Sequence, residues 1–192
     1  MIEHFFISKV RVKILKLYLQ DQHQSFHVRE IVRQTKEEIN AVRRELINME
    51  KAGLFTKEPK FNRVYYILNK NYPIFPELRA IIFKEFGLGG SIIRERENLG
   101  GVTFAILSSQ YLNNEPMSPT ELDLLVIGDT VNMDRLSILV KTIELDTSRE
   151  INYTVLTTAQ FTQQKQRREG YLKNLLDKAK LVLIGSEDDF LS

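Results

Sequence analysis

Three observations predict an α+β chain built from an all-helical start with a hairpin, followed by a small mixed α/β unit. Apolar residues recur at helical spacing as far as Ala52 and then give way to short runs rich in aromatic and β-branched residues. Beyond residue 101, apolar strand-like runs alternate with helical stretches. Charge divides in the same sense: residues 1–70 carry 14 Lys+Arg against 8 Asp+Glu, a net +6, whereas the remainder carries 13 against 17, a net −4. Such asymmetry is expected when one unit meets phosphates and the other does not. The expected division is 1–70 for a first domain, 71–100 for a helical connector and 101–192 for a second domain.

Composition narrows the chemistry. With 192 residues and 43% apolar content, the chain can form ordinary globular cores. The absence of cysteine excludes disulfides, thiol catalysis and cysteine-bound zinc, and three histidines, His4, His23 and His27, do not suggest a histidine metal cluster. Any metal would need carboxylates. No run approaches the roughly 20 apolar residues that span a bilayer. The stretch MIEHFFISKV has an early acid and no small-residue cleavage site, so a cytoplasmic protein without membrane association is expected.

In chain order, Ser8 is placed to cap a first helix over 8–20, with Val10, Ile14, Leu17 and Tyr18 on one stripe. DQHQSF breaks the period, and HVREIVRQT predicts a second helix of about two turns that buries Val28, Ile31 and Val32. A third helix is expected over 37–52, its apolar face made by Ile39, Val42, Leu46 and Met49. Gly53 stands where a left-handed C-terminal cap is wanted. The last two helices, joined by a tight turn, follow the helix-turn-helix plan. LFTKEP and RVYYIL then predict a hairpin with a basic, proline-bearing tip, which acts as a wing. In such an arrangement the third helix enters the major groove of DNA and the wing reaches flanking backbone or the minor groove.

The order REIVRQT, VRREL, EKAGL and VYYILN resembles the winged helix-turn-helix regulators of the arsenical-repressor-like kind, over residues 8–69. The resemblance places Asn40, Ala41, Arg43 and Arg44 on the groove-facing side of the third helix. Arg can pair bidentately with guanine and Asn with adenine. Lys36 at the preceding turn and Lys57, Lys60, Asn62 and Arg63 on the hairpin are the expected backbone contacts. Glu37 and Glu38 suit a helix N-terminus but repel phosphate, so they are expected to point away or to be offset by Lys36.

The connector contains Pro73, Pro76 and a helix with Leu78, Ile81, Ile82 and Phe86 on one side. GLGGSIIRERENLGG follows. It lacks the Gly-Lys-Ser/Thr of a phosphate loop, and its paired glycines predict a helix cap and a flexible join.

The second domain is expected to have strands over 102–107, 122–127 and 151–156, a last strand in LVLIG, and helices over 133–143 and 171–179. Over residues 76–185 it resembles the minimal nucleotidyltransferases of the DNA polymerase beta superfamily. In that family a Gly-Ser turn holds a nucleoside triphosphate, an Asp-x-Asp pair on the next strand binds two metal ions, and a third strand supplies another acid. The resemblance assigns the turn to Ser108-Ser109, the acid pair to Glu121-Leu122-Asp123 and the third-strand position to Asn152, with Glu150 as a substitute acid. Ser109, Glu121 and Asp123 are thus the candidate catalytic residues, and Glu121 and Asp123 the candidate Mg²⁺ ligands. Three departures, Ser108 for Gly, Glu121 for Asp and Asn152 for an acid, predict a domain that is not an efficient transferase.

The expected function is a sequence-specific, double-stranded-DNA-binding transcriptional regulator. It would act as a homodimer, because one winged unit covers only a half-site. The second domain would serve dimerisation or sensing of a nucleotide ligand, with no cofactor required. Two alternatives are a Mg²⁺-dependent nucleotidyltransferase that modifies a protein or small hydroxyl acceptor, and a protein-binding adaptor that uses neither site.

Overall fold

The structure, a computed structural model, describes residues 8–20, 24–116, 121–167 and 170–191. His4, His23 and residues 117–120 lie outside these. The chain is α+β and divides into two compact units, Met1–Ile82 and Phe83–Ser192.

The first unit contains α1 (Lys9–Gln20), β1 (Ser25–His27), α2 (Val28–Thr35), α3 (Ile39–Lys51), β2 (Phe55–Lys60) and β3 (Arg63–Leu68). Val12, Ile14, Leu15, Tyr18 and Leu19 of α1 are buried with Ile31 of α2 and Val42, Leu46 and Met49 of α3. Val28 and Val32, expected to be buried, are only half covered, because Ile31 and Thr35 take the inward face of α2. Leu54 donates its N–H to Met49 and Gly53 to Glu50, ending α3 in a paired cap with Gly53 at φ +85°.

The sheet order is β1-β3-β2, all antiparallel. Strand β1 falls in a stretch where no strand is predicted. Three residues are too few for alternation to register, and β1 exists through its pairing with Tyr65, Tyr66 and Ile67. Tyr18 ties helices to sheet: its hydroxyl donates to the Tyr66 carbonyl at 2.9 Å and its ring packs edge-on against Phe26 and Phe55.

Helix α4 (Phe75–Glu85) carries the chain across the boundary at Ile82. The second unit continues with α5 (Gly87–Arg94), β4 (Gly100–Ser108), α6 (Ser109–Leu112), β5 (Leu124–Val131), α7 (Met133–Thr147) and β6 (Tyr153–Leu156). It ends with α8 (Thr158–Arg167), α9 (Gly170–Asp177), β7 (Lys180–Ile184) and α10 (Glu187–Leu191). The sheet order is β6-β5-β4-β7; β5 and β6 are parallel and the other pairs antiparallel.

Both faces of this sheet are covered, which explains the unbroken apolar runs of β4 and β5. Leu124 and Val126 point to a core shared with Leu88 and Ile92 of α5 and with Leu136, Val140 and Ile143 of α7. Leu125 and Ile127 point the other way, to Phe161 of α8, Leu172 and Leu175 of α9 and Phe190 of α10. The expected flexible join at 87–90 is instead a core helix. Gly89 and Gly90 are buried within α5, and a Cβ on either would fall within 2.3 Å of the Phe83 or Glu85 carbonyl oxygen. The glycines serve close packing there.

Candidate functional site

Two places in the chain gather the residues singled out by sequence. In the first unit, α2 starts from a reciprocal cap: His27 Nδ1 accepts from the Glu30 N–H, and the Glu30 carboxylate accepts from the His27 N–H. Its C-terminal cap, Lys36, adopts φ +54° and turns the chain toward α3. Glu38 caps α3, accepting from the Asn40 and Ala41 N–H groups at 2.8 and 2.9 Å. Those bonds hold its carboxyl below the ordinary glutamate range, with Arg43 adding a smaller effect in the same direction. Glu37 pairs with Lys13 of α1. Both acids at the start of α3 therefore have local partners, and neither depends on Lys36.

Arg43 and Arg44 are exposed on α3, as are Lys36 and Asn40. An open cleft lies between α3, the start of α2 and the hairpin, lined by His27, Arg29, Arg43, Asn62, Arg63 and Val64. The structure thus brings Arg43, Asn62 and Arg63 together. Lys36, Asn40, Arg44, Lys57 and Lys60 do not line this cleft. Lys57 forms an ion pair with Glu50 of α3 at 2.5 Å, and Lys60 pairs with Glu58 at 3.0 Å along its own strand. Arg29 and His27 were not anticipated. Arg29 carries a signal of its own, a cation in the first turn of a helix, where the dipole disfavours it. Arg63 Nη1 lies 3.1 Å from His27 Nε2, which ties the hairpin to the start of α2.

In the second unit, Glu121 and Asp123, which the resemblance placed on a strand, precede β5, which starts at Leu124. Asp123 is fully buried. Its Oδ1 accepts from Arg149 Nη2 at 2.8 Å and its Oδ2 from the Asn152 N–H at 3.0 Å. Burial raises its carboxyl above the usual aspartate value, against the lowering effects of the Asn152 N–H and Arg149. Arg149 also donates to the Tyr111 carbonyl and to Asn114 Oδ1, and its guanidinium lies 4.8 Å from the Tyr111 ring centre. Burial pushes the Tyr111 hydroxyl up to about 12.

Glu121 turns to different partners, Lys178 and Asn174 Nδ2. Asn152 and Glu150 also precede their strand, β6, and the Asn152 side chain donates to the Glu121 carbonyl at 2.6 Å. Ser108 accepts from the Tyr111 N–H and caps α6, while Ser109 starts that helix. Ser109, Gln110, Glu121, Asn174 and Lys178 line a narrow crevice. No group of three acidic or histidine side chains is arranged to hold a metal ion among the described residues. With both Asp123 oxygens engaged by protein donors, the residues in place do not fit a two-metal centre.

No helix among the described residues is long and apolar enough to cross a membrane. No family model, curated protein or solved structure matches the chain.

Proposed function

We propose that this protein is a sequence-specific DNA-binding regulator whose first unit is a winged helix-turn-helix. Helix α3 enters the major groove, and the β2–β3 hairpin is the wing. The observation that carries this reading is the cleft where Arg43 of α3, Arg29 of α2 and Asn62 and Arg63 of the hairpin face one concavity. Three guanidiniums on separate elements around one open cleft suit a phosphate backbone, and the exposed Asn40, Arg43 and Arg44 suit base edges. The basic balance of residues 1–70 supplies the long-range attraction.

The second unit, read as a nucleotidyltransferase-like domain, serves homodimerisation or ligand sensing in this proposal. The alternative of a Mg²⁺-dependent transferase gains no support from Asp123, whose carboxylate is closed by Arg149 and Asn152.

Selection of duplexes from a genomic library by the purified protein, with and without nucleotide and Mg²⁺, tests the proposal. Wild type should enrich a defined set of sequences, and Arg43→Ala/Arg44→Ala should lose that enrichment while remaining folded by circular dichroism. Equal binding of every fragment by wild type and by the double variant would refute it.

A further inference from the structure

The tip of the hairpin carries a feature that folding does not account for. Lys60 and Arg63 are paired across the two strands, so Phe61 and Asn62 alone make the turn. Phe61 takes the left-handed position, φ +55°, where an aromatic side chain is strained and Gly, Asn or Asp is preferred. Asn62, which tolerates that region well, follows it and does not occupy it. The Phe61 ring is wholly exposed, at 107% of its reference area. A residue that both strains the backbone and exposes its full apolar surface opposes folding and solubility on each count.

Its surroundings indicate what could cover it. Lys60 and Arg63 flank the turn, and Val64, 43% exposed, continues the apolar surface along β3 beside the basic cleft. An apolar wedge between cations is the combination used by proteins that enter the minor groove: the cations meet the groove's negative potential, and the wedge parts a base step. A two-residue tip is slim enough to approach a groove about 6 Å wide.

We propose that Phe61 is an insertion residue. When α3 occupies the major groove, the Phe61 ring enters the adjacent minor groove and lodges in a base step, opening it and bending the duplex. This rests on the DNA-binding reading above. It adds a site of contact and a deformation that the exposed face of α3 does not imply.

The test uses the full-length protein and short duplexes that wild type selects from a random pool. These are remade with 2-aminopurine at successive adenines on either side of the selected core. Wild type should raise the fluorescence of the probe at one flanking step. Phe61→Gly, which suits the left-handed φ, should melt at or above the wild-type temperature yet bind at least about fivefold more weakly, with no fluorescence rise. Phe61→Ala should show the same loss of binding and signal, and Phe61→Trp should retain both. Unchanged affinity in Phe61→Gly and Phe61→Ala, or no probe responding to wild type, overturns the insertion. If Arg43→Ala/Arg44→Ala still abolishes binding in that case, the DNA-binding reading stands without it. If wild type enriches no duplex from the pool, both fall together.

Discussion

Arg149 closes over Asp123, with Nη2 2.8 Å from Oδ1 of a carboxylate that has no exposed surface. The pair joins the segment before β6 to the segment before β5, and the Asn152 N–H completes the arrangement on the other oxygen. Removing the cation alone leaves a buried charge with one hydrogen bond. Arg149→Met is therefore expected to cost about 3–5 kcal/mol of stability. Asp123→Asn/Arg149→Met, which removes both charges, should cost less than the single variant. Urea unfolding of wild type, both single variants and the double variant gives the coupling directly; additive losses would show that the two residues do not act as a pair.

A second ion pair binds α1 to α3. Glu45, 4% exposed on α3, receives Arg11 Nε and Nη2, each at 2.9 Å. Arg11→Met should destabilise the protein by about 1–3 kcal/mol, because a carboxylate stays buried without its donor. Glu45→Gln, which keeps an acceptor and no charge, should cost less. Thermal melts monitored through the tyrosines at the centre of this core would register the order of the two losses.

The cap of α3 is predicted to be acid-sensitive. Backbone N–H bonds from Asn40 and Ala41 hold the Glu38 carboxyl below its ordinary value. A carboxyl whose folded pKa is depressed contributes stability above the unfolded pKa, and this is lost as pH falls through the folded pKa. The protection of amides 40 and 41, taken relative to the intrinsic exchange rate at each pH, should fall as acid protonates Glu38, and Glu38→Gln should remove that pH dependence. A Glu38 titration by NMR at the unperturbed glutamate value would contradict this account.

Salt dependence should separate the basic residues of the hairpin. Arg63 lines the open cleft, whereas Lys57 is already paired with Glu50. Under the DNA-binding proposal, Arg63→Ala should reduce the slope of log affinity against log salt by about 0.9, the value for one lost phosphate contact. Lys57→Ala should change it less, because its single charge is already compensated by Glu50. Titrations at several salt concentrations on one duplex distinguish the two. Equal slopes for both variants would remove Arg63 from the backbone contacts.

The helical stripe of Val42, Leu46 and Met49, the cap at Gly53 and the continuous apolar runs of β4 and β5 were legible in sequence, because burial leaves a period and a turn needs particular residues; Ile39, expected on the same stripe, is only half-buried. Strand β1 was not legible, since its three residues become a strand only through β3. The start of β5 at Leu124 was not legible either, and it leaves Asp123 ahead of the strand expected over 122–127.

By itself, then, the sequence determined the α+β class, the order of most elements and which faces must be buried, all consequences of local periodicity and backbone chemistry. Only the tertiary structure decided the partners of the charged groups. Arg149 is 26 positions from Asp123 and Lys178 is 57 from Glu121, separations at which no periodicity links one side chain to another. The same holds for the basic cleft: Arg29, Arg43 and Arg63 lie on three separate elements, and helix packing together with strand pairing places them around one concavity.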